Sequence, residues 1–584
     1  TDKSLFLLMA EFLEETLGKG VVYAKDTPNF IANRIGVYGM MVTLDEARKN
    51  NISIEDVDAL TGHLIGRPKS ATFRTSDIVG LDTMCFVANT AYEKCTDDPE
   101  KDIFKIPEYL QTMVNNKWLG QKSKQGFYKK IDKGVIHSIN LDTLEYGPQN
   151  KNRYSGIRLA KENTQVGDRV KALINSDDKA GQFIWEVTSK ALLYSAGRLG
   201  EIADDIVNID RAMRWGFGWS LGPFEVWDTI GVRESVDRMK AESKNLPAWV
   251  SKMLEKGHDS FYKHLDDFNC YWDINKEDYL PIPVSKKELK FANFKYNGSL
   301  IEDHWSASII DLGDGVAGVN FHSVLQADLN PIDGSILQTL FKAQNWVKEN
   351  GYKGLVVSSD ITNFCAGANL NMILNPAYRK DWDELDRTVR TMQDILQSLR
   401  YAPFPVIAAP AGLVLGGGFE TIGACDRIVA AGESYIGLVE VGVGLIPGAG
   451  GNLRMISNLS KKIKSAMPGA FPIIQKAFET IGFAKVATSA KEAQAIGYLQ
   501  KDDQIVVNRH HILSQAKNAV LDMADDYTVP EVESFKLPGK SGRLVLEGTL
   551  KGFVKSGKIS EHDALIGRKL GNVLTGGEKG GPFT

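Results

Sequence analysis

Apolar residues recur at helical spacing through much of the first 270 residues. A helix introduced by Pro28 carries one apolar stripe, with spacings of four, three and four residues, at Ile31, Ile35, Tyr38 and Val42. The same period returns over residues 184–194. The pattern therefore predicts two helical units, over residues 25–130 and 178–272.

The two predicted units share an ordered set of residues. The first contains Val57-Asp58, Gly66, Phe73, Asp77 and Gly80, and the second contains Ile209-Asp210, Gly218, Phe224, Asp228 and Gly231. The spacings differ by one residue after the first glycine of each set. Five matches in the same order favour duplication of one helical domain.

The segments before, between and after the two helical units lack this helical repeat. Residues 3–17 predict an amphipathic helix stopped by Gly18, and residues 21–24 predict a strand. A lone helix and strand do not form a domain, so residues 1–24 are interpreted as the end of a sheet domain that is missing from this chain. Residues 131–177 are polar and broken and predict a connection, and the proline-rich, charged residues 273–302 predict a linker.

From residue 303 onwards the pattern alternates between strands and helices. Apolar runs predict strands at residues 306–311, 316–321, 354–359, 404–411 and 427–431, and longer periodic segments predict helices at 334–350 and 382–399. This alternation predicts an α/β domain over residues 303–500. Two further helical segments, 505–527 and 543–574, predict a helical C-terminal extension over residues 501–584.

Composition narrows the possible functions. The 584 residues are 43% hydrophobic and 24% charged, with a net charge of −4 and the two signs mixed along the chain. This balance disfavours nucleic-acid binding, and no apolar run is long enough to predict a membrane span. The five cysteines are scattered and the nine histidines lack metal-ligand spacing, so we expect a reducing, cytoplasmic location and no metal site.

Three blocks of small residues between 363 and 451 carry the candidate chemistry. Two of them, Ala366-Gly367-Ala368 and Gly416-Gly417-Gly418, resemble strand ends that open helices. Such positions expose unpaired backbone N–H groups, and the missing side chains let a ligand oxygen approach closely. Two N–H groups from separate strand ends can stabilise the charge that develops on one thioester carbonyl oxygen.

Two glutamates lie within the same stretch. Glu420 follows the triple glycine and falls in the first predicted helical turn, whereas Glu440 lies in an apolar run. Two nearby carboxyl groups in a partly apolar site acquire different pKa values, so that one can donate a proton while the other accepts one. The blocks therefore predict a backbone oxyanion hole that faces a pair of carboxyl groups.

Residues 303–500 resemble the crotonase family of enoyl-CoA hydratases and isomerases. The resemblance implies that the Ala368 and Gly417 N–H groups form the oxyanion hole, and that the Ala366 carbonyl contacts the adenine of coenzyme A. It also implies that Glu420 activates a water molecule and that Glu440 delivers a proton to the α-carbon. Asn369 departs from the aspartate more common in the family.

Residues 25–130 and 178–272 resemble the C-terminal helical domains of 3-hydroxyacyl-CoA dehydrogenases. The resemblance rests on residues 25–35, the Gly66-Arg-Pro turn and the segment from Gly216 to Glu225. It implies that Asn33 contacts the acyl substrate. In that family NAD is bound by a preceding Rossmann domain, whose glycine-rich loop and catalytic histidine we do not find in this chain, so NAD is expected only for the intact protein.

Together the resemblances imply a multifunctional fatty-acid β-oxidation protein that hydrates 2-enoyl-CoA and, when intact, oxidises the product. They imply an acyl-CoA thioester as substrate, a thiolase as a candidate partner and a homo-oligomer. This chain alone is expected to lack dehydrogenase activity. Two alternatives stay open, namely a Δ3-Δ2 enoyl-CoA isomerase and a non-catalytic module for acyl-CoA binding or assembly.

Overall fold

The chain divides into two compact units. The computed structural model describes residues 2–150, 152–265, 268–285, 287–463, 469 and 471–577. The helical unit is Gly20–Pro283, and the α/β unit combines Thr1–Lys19 with Val284–Thr584. The segment predicted as a single piece, residues 1–24, is thus divided at Lys19.

The first helix, α1 (Lys3–Glu11), continues as a π-helical turn at Phe12–Thr16 and belongs to the α/β unit. The helical unit contains α2 (Ala32–Lys49), α3 (Ile54–Thr61), α4 (Phe73–Val79), α5 (Leu81–Lys94), α6 (Glu108–Asn115), α7 (Ser155–Lys161), α8 (Val166–Ile174), α9 (Lys179–Gly197), α10 (Ile206–Phe217), α11 (Pro223–Ile230), α12 (Val232–Ala241) and α13 (Ala248–Glu255). Two small antiparallel sheets accompany them, β1 (Tyr128–Lys130), β2 (Ile136–Ile139) and β3 (Tyr146–Pro148), then β4 (Tyr262–Leu265), β5 (Phe268–Asp273) and β6 (Asp278–Pro281).

The core of the helical unit forms around α2 and α9. The predicted apolar stripe of α2 is confirmed, because Ile31, Ile35, Tyr38 and Val42 are all buried. The Tyr38 ring stacks on Tyr194 of α9, with ring centroids 3.7 Å apart. The regular burial of one helix face therefore follows directly from the spacing in the sequence.

The repeated residues make repeated hydrogen bonds. Asp58 accepts the backbone N–H groups of Thr72, Phe73 and Arg74 and the Tyr128 hydroxyl. In the second half Asp210 accepts the N–H groups of Phe224 and Glu225 and the Tyr262 hydroxyl. The glycines that follow, Gly66 and Gly218, both have left-handed backbones, with φ of +72° and +66°. The ordered echo in the sequence thus corresponds to one local structure present twice.

The second aspartate of each set also has the same role. Asp77 accepts the N–H groups of Phe127 and Tyr128, and Asp228 accepts those of Phe261 and Tyr262. Each aspartate therefore joins a helix end to the start of one small sheet. Burial raises the pKa of Asp77 to about 6 and that of Asp228 to about 7, against the opposing effect of these N–H donors.

One local prediction for this part of the chain was wrong, and two other segments contain more secondary structure than expected. Residues 21–24 form no strand, because their backbone is held elsewhere: the Tyr23 N–H donates to the Asn208 side chain and the Lys25 N–H to the Ile202 carbonyl. The predicted connection at 131–177 instead contains β2, β3, α7 and α8. The predicted linker at 273–302 contains β6 and two further elements, given below.

The α/β unit contains β7 (Leu300–Asp303), β8 (Ala307–Asp311), β9 (Val316–Phe321), β10 (Gly354–Ser358), β11 (Val406–Ala409), β12 (Leu413–Leu415), β13 (Arg427–Ala431), β14 (Tyr435–Gly437), β15 (Val486–Ala487) and β16 (Gln504–Val506). Its helices after α1 are α14 (Phe291–Tyr296), α15 (Gly334–Glu349), α16 (Asn371–Arg379), α17 (Trp382–Arg400), α18 (Gly417–Ala424), α19 (Gly451–Lys462), α20 (Phe471–Gly482), α21 (Ala490–Ile496), α22 (Ile512–Ala524), α23 (Gly539–Lys555) and α24 (Glu561–Leu574).

The main sheet has the strand order β16-β13-β11-β10-β9-β8-β7. Strands β9, β10, β11, β13 and β16 are parallel, and β8 and β7 extend the sheet antiparallel. Alternate residues of β10 enter different cores, with Leu355 and Val357 in one and Val356 in the other. Because both faces are buried, these strands are continuous apolar runs in the sequence, and this is why they could be predicted.

In the α/β unit one strand was not predicted and one helix needs correction. The predicted strand at 404–411 is present as β11, and the strand that was not predicted, β12, lies in a second sheet with the order β12-β14-β15. The predicted helix at 505–527 begins only at Ile512, because residues 504–506 pair with β13 as β16. The helical extension predicted at 543–574 is present as α23 and α24, and residues 578–584 lie outside the described part. None of the helices described is long and apolar enough to cross a membrane.

Candidate active site

Three chain segments end side by side in the α/β unit. Strands β12 and β14 are parallel, with Leu415 opposite Gly437, and Cys365 pairs in parallel with Val414. The Leu415 N–H donates to the Cys365 carbonyl at 2.9 Å, and the Gly416 N–H donates to the Gly437 carbonyl at 2.8 Å. Because adjacent parallel segments end at the same edge, the three predicted blocks of small residues lie together.

Two turns at this edge require glycine. Gly367 and Gly416 have φ of +121° and +52°, a region that residues with a side chain rarely adopt. Each glycine directly precedes a predicted oxyanion donor. Gly417 is the first residue of α18, as predicted, whereas Ala368 forms an isolated parallel bridge with Ile332, three residues before α16 begins at Asn371.

The N–H groups of Ala368 and Gly417 lie close to each other. A Cβ atom placed on Gly417 would lie 3.3 Å from the Ala368 nitrogen. Neither N–H donates a hydrogen bond within the part of the chain that the structure describes. Two free donors at neighbouring strand ends are the arrangement that an oxyanion hole needs.

The peptide that carries the Ala368 N–H is held in place from its other end. The Gly367 carbonyl accepts the Ile332 N–H at 2.9 Å and the Cys365 thiol at 3.3 Å. Cys365 is fully buried. The direction of the Ala368 N–H is therefore fixed without a ligand, which is the condition for stabilising developing charge without reorganisation.

Glu420 accepts two backbone hydrogen bonds. It lies in the first turn of α18, is 6% exposed, and its Oε1 accepts the N–H groups of Ala449 at 2.7 Å and Gly451 at 2.9 Å. Burial raises the pKa of Glu420, and the two N–H donors lower it, with a net rise. Hydrogen bonds to the charged form favour ionisation of this member of the pair.

Glu440 has the opposite environment. It begins a short 3₁₀ helix, Glu440–Val443, three residues after β14 ends at Gly437. Both of its side-chain oxygens are buried, and neither has a hydrogen-bond partner among the described residues. Burial, followed by the charge of Glu420, raises the pKa of Glu440 to about 8. At neutral pH Glu440 is therefore the protonated member of the pair.

These groups line one cavity of about 450 Å³. Ala368, Gly417 and the two glutamates contribute polar groups to its lining, and most of the remaining lining residues are apolar. The apolar side chains come chiefly from the segments after Ala368, from α17 and from the 3₁₀ helix with the loop that follows: Leu370, Ile373, Leu385, Val389, Met392, Val443, Leu445 and Ile446. The cavity thus combines a few converging polar groups with an apolar lining, as small-molecule sites do.

The predicted site residues do not all meet. Ala366, Ala368, Gly417, Glu420 and Glu440 line the same cavity. The Ala366 N–H donates to the Leu329 carbonyl, and its own carbonyl accepts no hydrogen bond within the described residues. Asn33 instead lies exposed in the first turn of α2, in the helical unit, and does not line this cavity.

The sequence reasoning missed two contributions. It did not identify Ala449 and Gly451 as the donors that hold Glu420, although the glycines before α19 signal an open backbone there. It also gave α17 no part in the site, because an amphipathic helix with an apolar face is ordinarily a packing helix. Only the fold shows that this face lines a cavity.

The cavity brings two backbone N–H groups together with two glutamates in unlike environments. It suits reactions in which a thioester passes through an enolate-like state while protons move on and off carbon and oxygen. No metal ligand group of three or more His, Cys, Asp or Glu residues occurs in the described ranges.

Two known families match the chain. Residues 313–469 match the enoyl-CoA hydratase/isomerase family, and residues 30–130 match the C-terminal domain of 3-hydroxyacyl-CoA dehydrogenase. A Bacillus subtilis protein named "Probable 3-hydroxyacyl-CoA dehydrogenase" is 44% identical over 579 residues, covering 99% of this chain and 72% of that protein. The chain therefore belongs to the family of fatty-acid β-oxidation proteins that join these two kinds of domain.

Two further proteins are similar to this chain at lower identity. A Rickettsia felis protein described as a candidate trifunctional enzyme of a fatty acid oxidation complex is 27% identical, over 86% of this chain and 64% of that protein. Among solved structures, an enoyl-CoA hydratase from Bacillus anthracis is 21% identical over 46% of this chain and 90% of that one, with a TM-score of 0.32.

Proposed function

We propose that this chain hydrates 2-enoyl-CoA thioesters to 3-hydroxyacyl-CoA. The observation that carries the proposal is the difference between the two glutamates. Glu420 has two N–H donors that favour its ionised form, whereas buried Glu440 has no partner within the described residues and a pKa raised to about 8. Hydration needs one base and one acid at the same pH, and this pair supplies both.

The thioester oxygen binds between the N–H groups of Ala368 and Gly417. As water adds to the β-carbon, the electrons of the carbon–carbon double bond move towards the α-carbon and this oxygen. The two fixed donors stabilise the charge that develops there, and losing one such donor typically costs about 2.7–4 kcal/mol of transition-state stabilisation. The apolar wall of α17 receives the acyl chain.

The two glutamates complete the proton balance. Glu420 takes a proton from the attacking water, whose oxygen bonds to the β-carbon. Glu440 gives its proton to the α-carbon. After one turnover Glu420 is protonated and Glu440 is ionised, so a proton must return from Glu420 to Glu440, directly or through solvent, before the next cycle.

The first test substitutes each glutamate with glutamine. We expect Glu420→Gln and Glu440→Gln each to lower the kcat for crotonyl-CoA hydration by about 10²–10⁴-fold, the usual contribution of general acid or base catalysis. Glu433→Gln is the matched control, since Glu433 is exposed and does not line the cavity. Undiminished turnover in both active-site variants would refute the assignment.

The products formed from different substrates separate the alternative functions. An isomerase that moves a double bond from the 3- to the 2-position needs one carboxylate to carry the proton, so it would convert a 3-enoyl-CoA without forming a hydroxyl group. A binding or assembly module would bind acyl-CoA without turnover. Product analysis with 2-enoyl and 3-enoyl thioesters distinguishes all three outcomes.

The dehydrogenase relatives extend the proposal to a second reaction. In a longer protein with a dinucleotide-binding domain, the helical unit would support oxidation of the 3-hydroxyacyl product with NAD, and Asn33 would contact that substrate. The described residues of the helical unit do not fit NAD, because their sheets are antiparallel and contain no parallel strand–helix–strand unit. NADH formation from 3-hydroxybutyryl-CoA by this chain alone would contradict this point.

Further parts of the proposal concern the protein in the cell. Coenzyme A is part of the substrate, with the Ala366 carbonyl positioned for its adenine, and a thiolase is the proposed partner for the next reaction. A cytoplasmic homo-oligomer is the expected form. Sedimentation of the purified chain, alone and with a thiolase, tests the oligomer and the partner together.

A further inference from the structure

Glu420 is connected through one peptide to a side chain outside the cavity. The N–H that Ala449 donates to Glu420 belongs to the Gly448–Ala449 peptide. The carbonyl of that same peptide, on Gly448, accepts a hydrogen bond of 2.6 Å from the side-chain amide of Gln393. Gln393 lies on the exposed side of α17, next to Met392, which lines the cavity.

From this geometry we infer that Gln393 is a positioning residue for Glu420. The inference rests on the proposed function, because it assigns a role towards the base of the hydration. A donor on a peptide carbonyl strengthens the hydrogen bond made by the N–H of the same peptide, since the two polarise each other. The bond also fixes the direction in which the Ala449 N–H points.

Gln393 donates to one particular carbonyl of the loop that precedes α19. The Asn452 side chain already holds the Pro447 carbonyl at 2.7 Å, one peptide earlier. Gly448 follows without a side chain, and its nearest neighbours are the Val389 side chain at 3.8 Å and the Ile446 carbonyl at 4.0 Å, both measured from the position of a Cβ atom. Among the described residues, Gln393 provides the side-chain hydrogen bond to the Gly448 carbonyl.

Few other charges act on Glu420. Glu440 lines the same cavity, and the charge of Glu420 raises the pKa of Glu440. Tyr498 interacts with Glu440, but its hydroxyl donates to the Lys485 carbonyl and its ring packs on Phe419. The strength of the N–H bonds from Ala449 and Gly451 is therefore the main factor that opposes burial at Glu420.

The test is the pH profile of hydration by Gln393→Leu. This variant keeps the approximate size of the side chain and removes the donor, so the Ala449 N–H bond weakens and the pKa of Glu420 rises. Since the base must be ionised, we expect the acid limb of kcat/KM to move up by roughly 0.5–1 pH unit, as partial loss of a hydrogen bond to a charged group implies. At any pH well down that limb, below the pKa of Glu420, kcat/KM falls about three- to tenfold, with KM little changed.

Matched variants one turn further along α17 provide the controls. Gln397 is exposed on the same helix, and its side chain makes no hydrogen bond among the described residues. Gln397→Leu should leave the profile unchanged. Gln393→Lys restores a donor and should return the acid limb to the wild-type position or below. Gln397→Lys adds the same charge without a hydrogen bond to the Gly448 carbonyl, so it should shift the acid limb less.

A titration without turnover separates this inference from the proposed function. Infrared difference spectra between each protein and its Glu420→Gln counterpart report the ionisation of Glu420 directly. A Gln393→Leu titration that coincides with wild type, or a loss of activity that is equal at every pH, overturns the positioning role. A wild-type chain without hydratase turnover overturns the proposed function instead, whatever the infrared titration shows.

Discussion

At the scale of single residues, the site depends on two identical side chains in unlike environments. Glu420 accepts two backbone N–H groups, while both oxygens of Glu440 are buried and have no partner within the described residues. A buried carboxyl group without a partner destabilises a fold once it ionises. Function therefore explains a residue that stability alone would disfavour.

The raised pKa of Glu440 predicts how Glu440→Gln changes the stability of the folded protein with pH. The folded protein holds a proton on Glu440 up to a pH of about 8, whereas the ordinary pKa of the group is 4.5. Between these values the folded state binds more protons than the unfolded state, so the contribution of Glu440 to stability falls as pH rises. We expect the glutamine variant to unfold at nearly the wild-type temperature at pH 5 and at a higher temperature above pH 8.

The measurement is thermal unfolding across this pH range, with a gain on the order of a few kcal/mol at the alkaline end. Glu433→Gln is again the control and should follow the wild type at every pH, because Glu433 is exposed. A difference between Glu440→Gln and wild type that does not change with pH would show that Glu440 titrates normally in the folded protein.

At the scale of elements, the site depends on the close approach of α18 to the segment at Cys365. A Cβ atom on Gly418 would lie 2.6 Å from the Cys365 carbonyl oxygen and 3.0 Å from its Cβ. Neither neighbour is the flexible end of a side chain. The glycine therefore sets the position of α18, and with it the positions of Gly417 and Glu420.

We expect Gly418→Ala to lower the free energy of unfolding by about 1–3 kcal/mol, the usual effect of overpacking, and to reduce hydration as α18 moves. Gly423→Ala is the matched control in the same helix. There the new Cβ would meet the Cγ atom of Arg454 at 2.9 Å, a side-chain atom and not the backbone. Denaturant unfolding should rank the control as the less damaging change, and the reverse order would show that the position of α18 is set elsewhere.

The elements also show what the sequence could reveal. The burial of β10 on both faces leaves a continuous apolar run and the stripe of α2 leaves a helical period, so both were predictable. Runs of glycine and alanine can be recognised in the sequence and indicate an accessible backbone. They led to the prediction of Ala368, Gly417 and the two glutamates as site residues. The separate strand β12 and the bond from Gln393 to Gly448 depend on which segments become neighbours, and three-residue strands and single non-local hydrogen bonds leave no period to detect.

At the scale of the whole molecule, the candidate site and the repeated aspartates belong to different units. Every residue that lines the cavity lies between Gln326 and Ala449, in the α/β unit. In the helical unit, the paired aspartates Asp77 and Asp228 hold equivalent sheet starts by accepting two N–H groups each. A change at these aspartates therefore acts on the helical unit and leaves the chemistry of hydration intact.

Asp228→Asn makes this separation measurable. The amide replaces one acceptor oxygen with a donor, so it faces an N–H group of Phe261 or Tyr262 that is then left without a partner, at a cost of about 1–3 kcal/mol. We expect faster hydrogen exchange across β4 and an earlier loss of the helical unit on heating, with kcat and KM for crotonyl-CoA unchanged. Asp77→Asn should have the same effect at β1, because the two positions make the same bonds. A change in hydration kinetics in either variant would mean that the helical unit contributes to the site in a way that the residues lining the cavity do not explain.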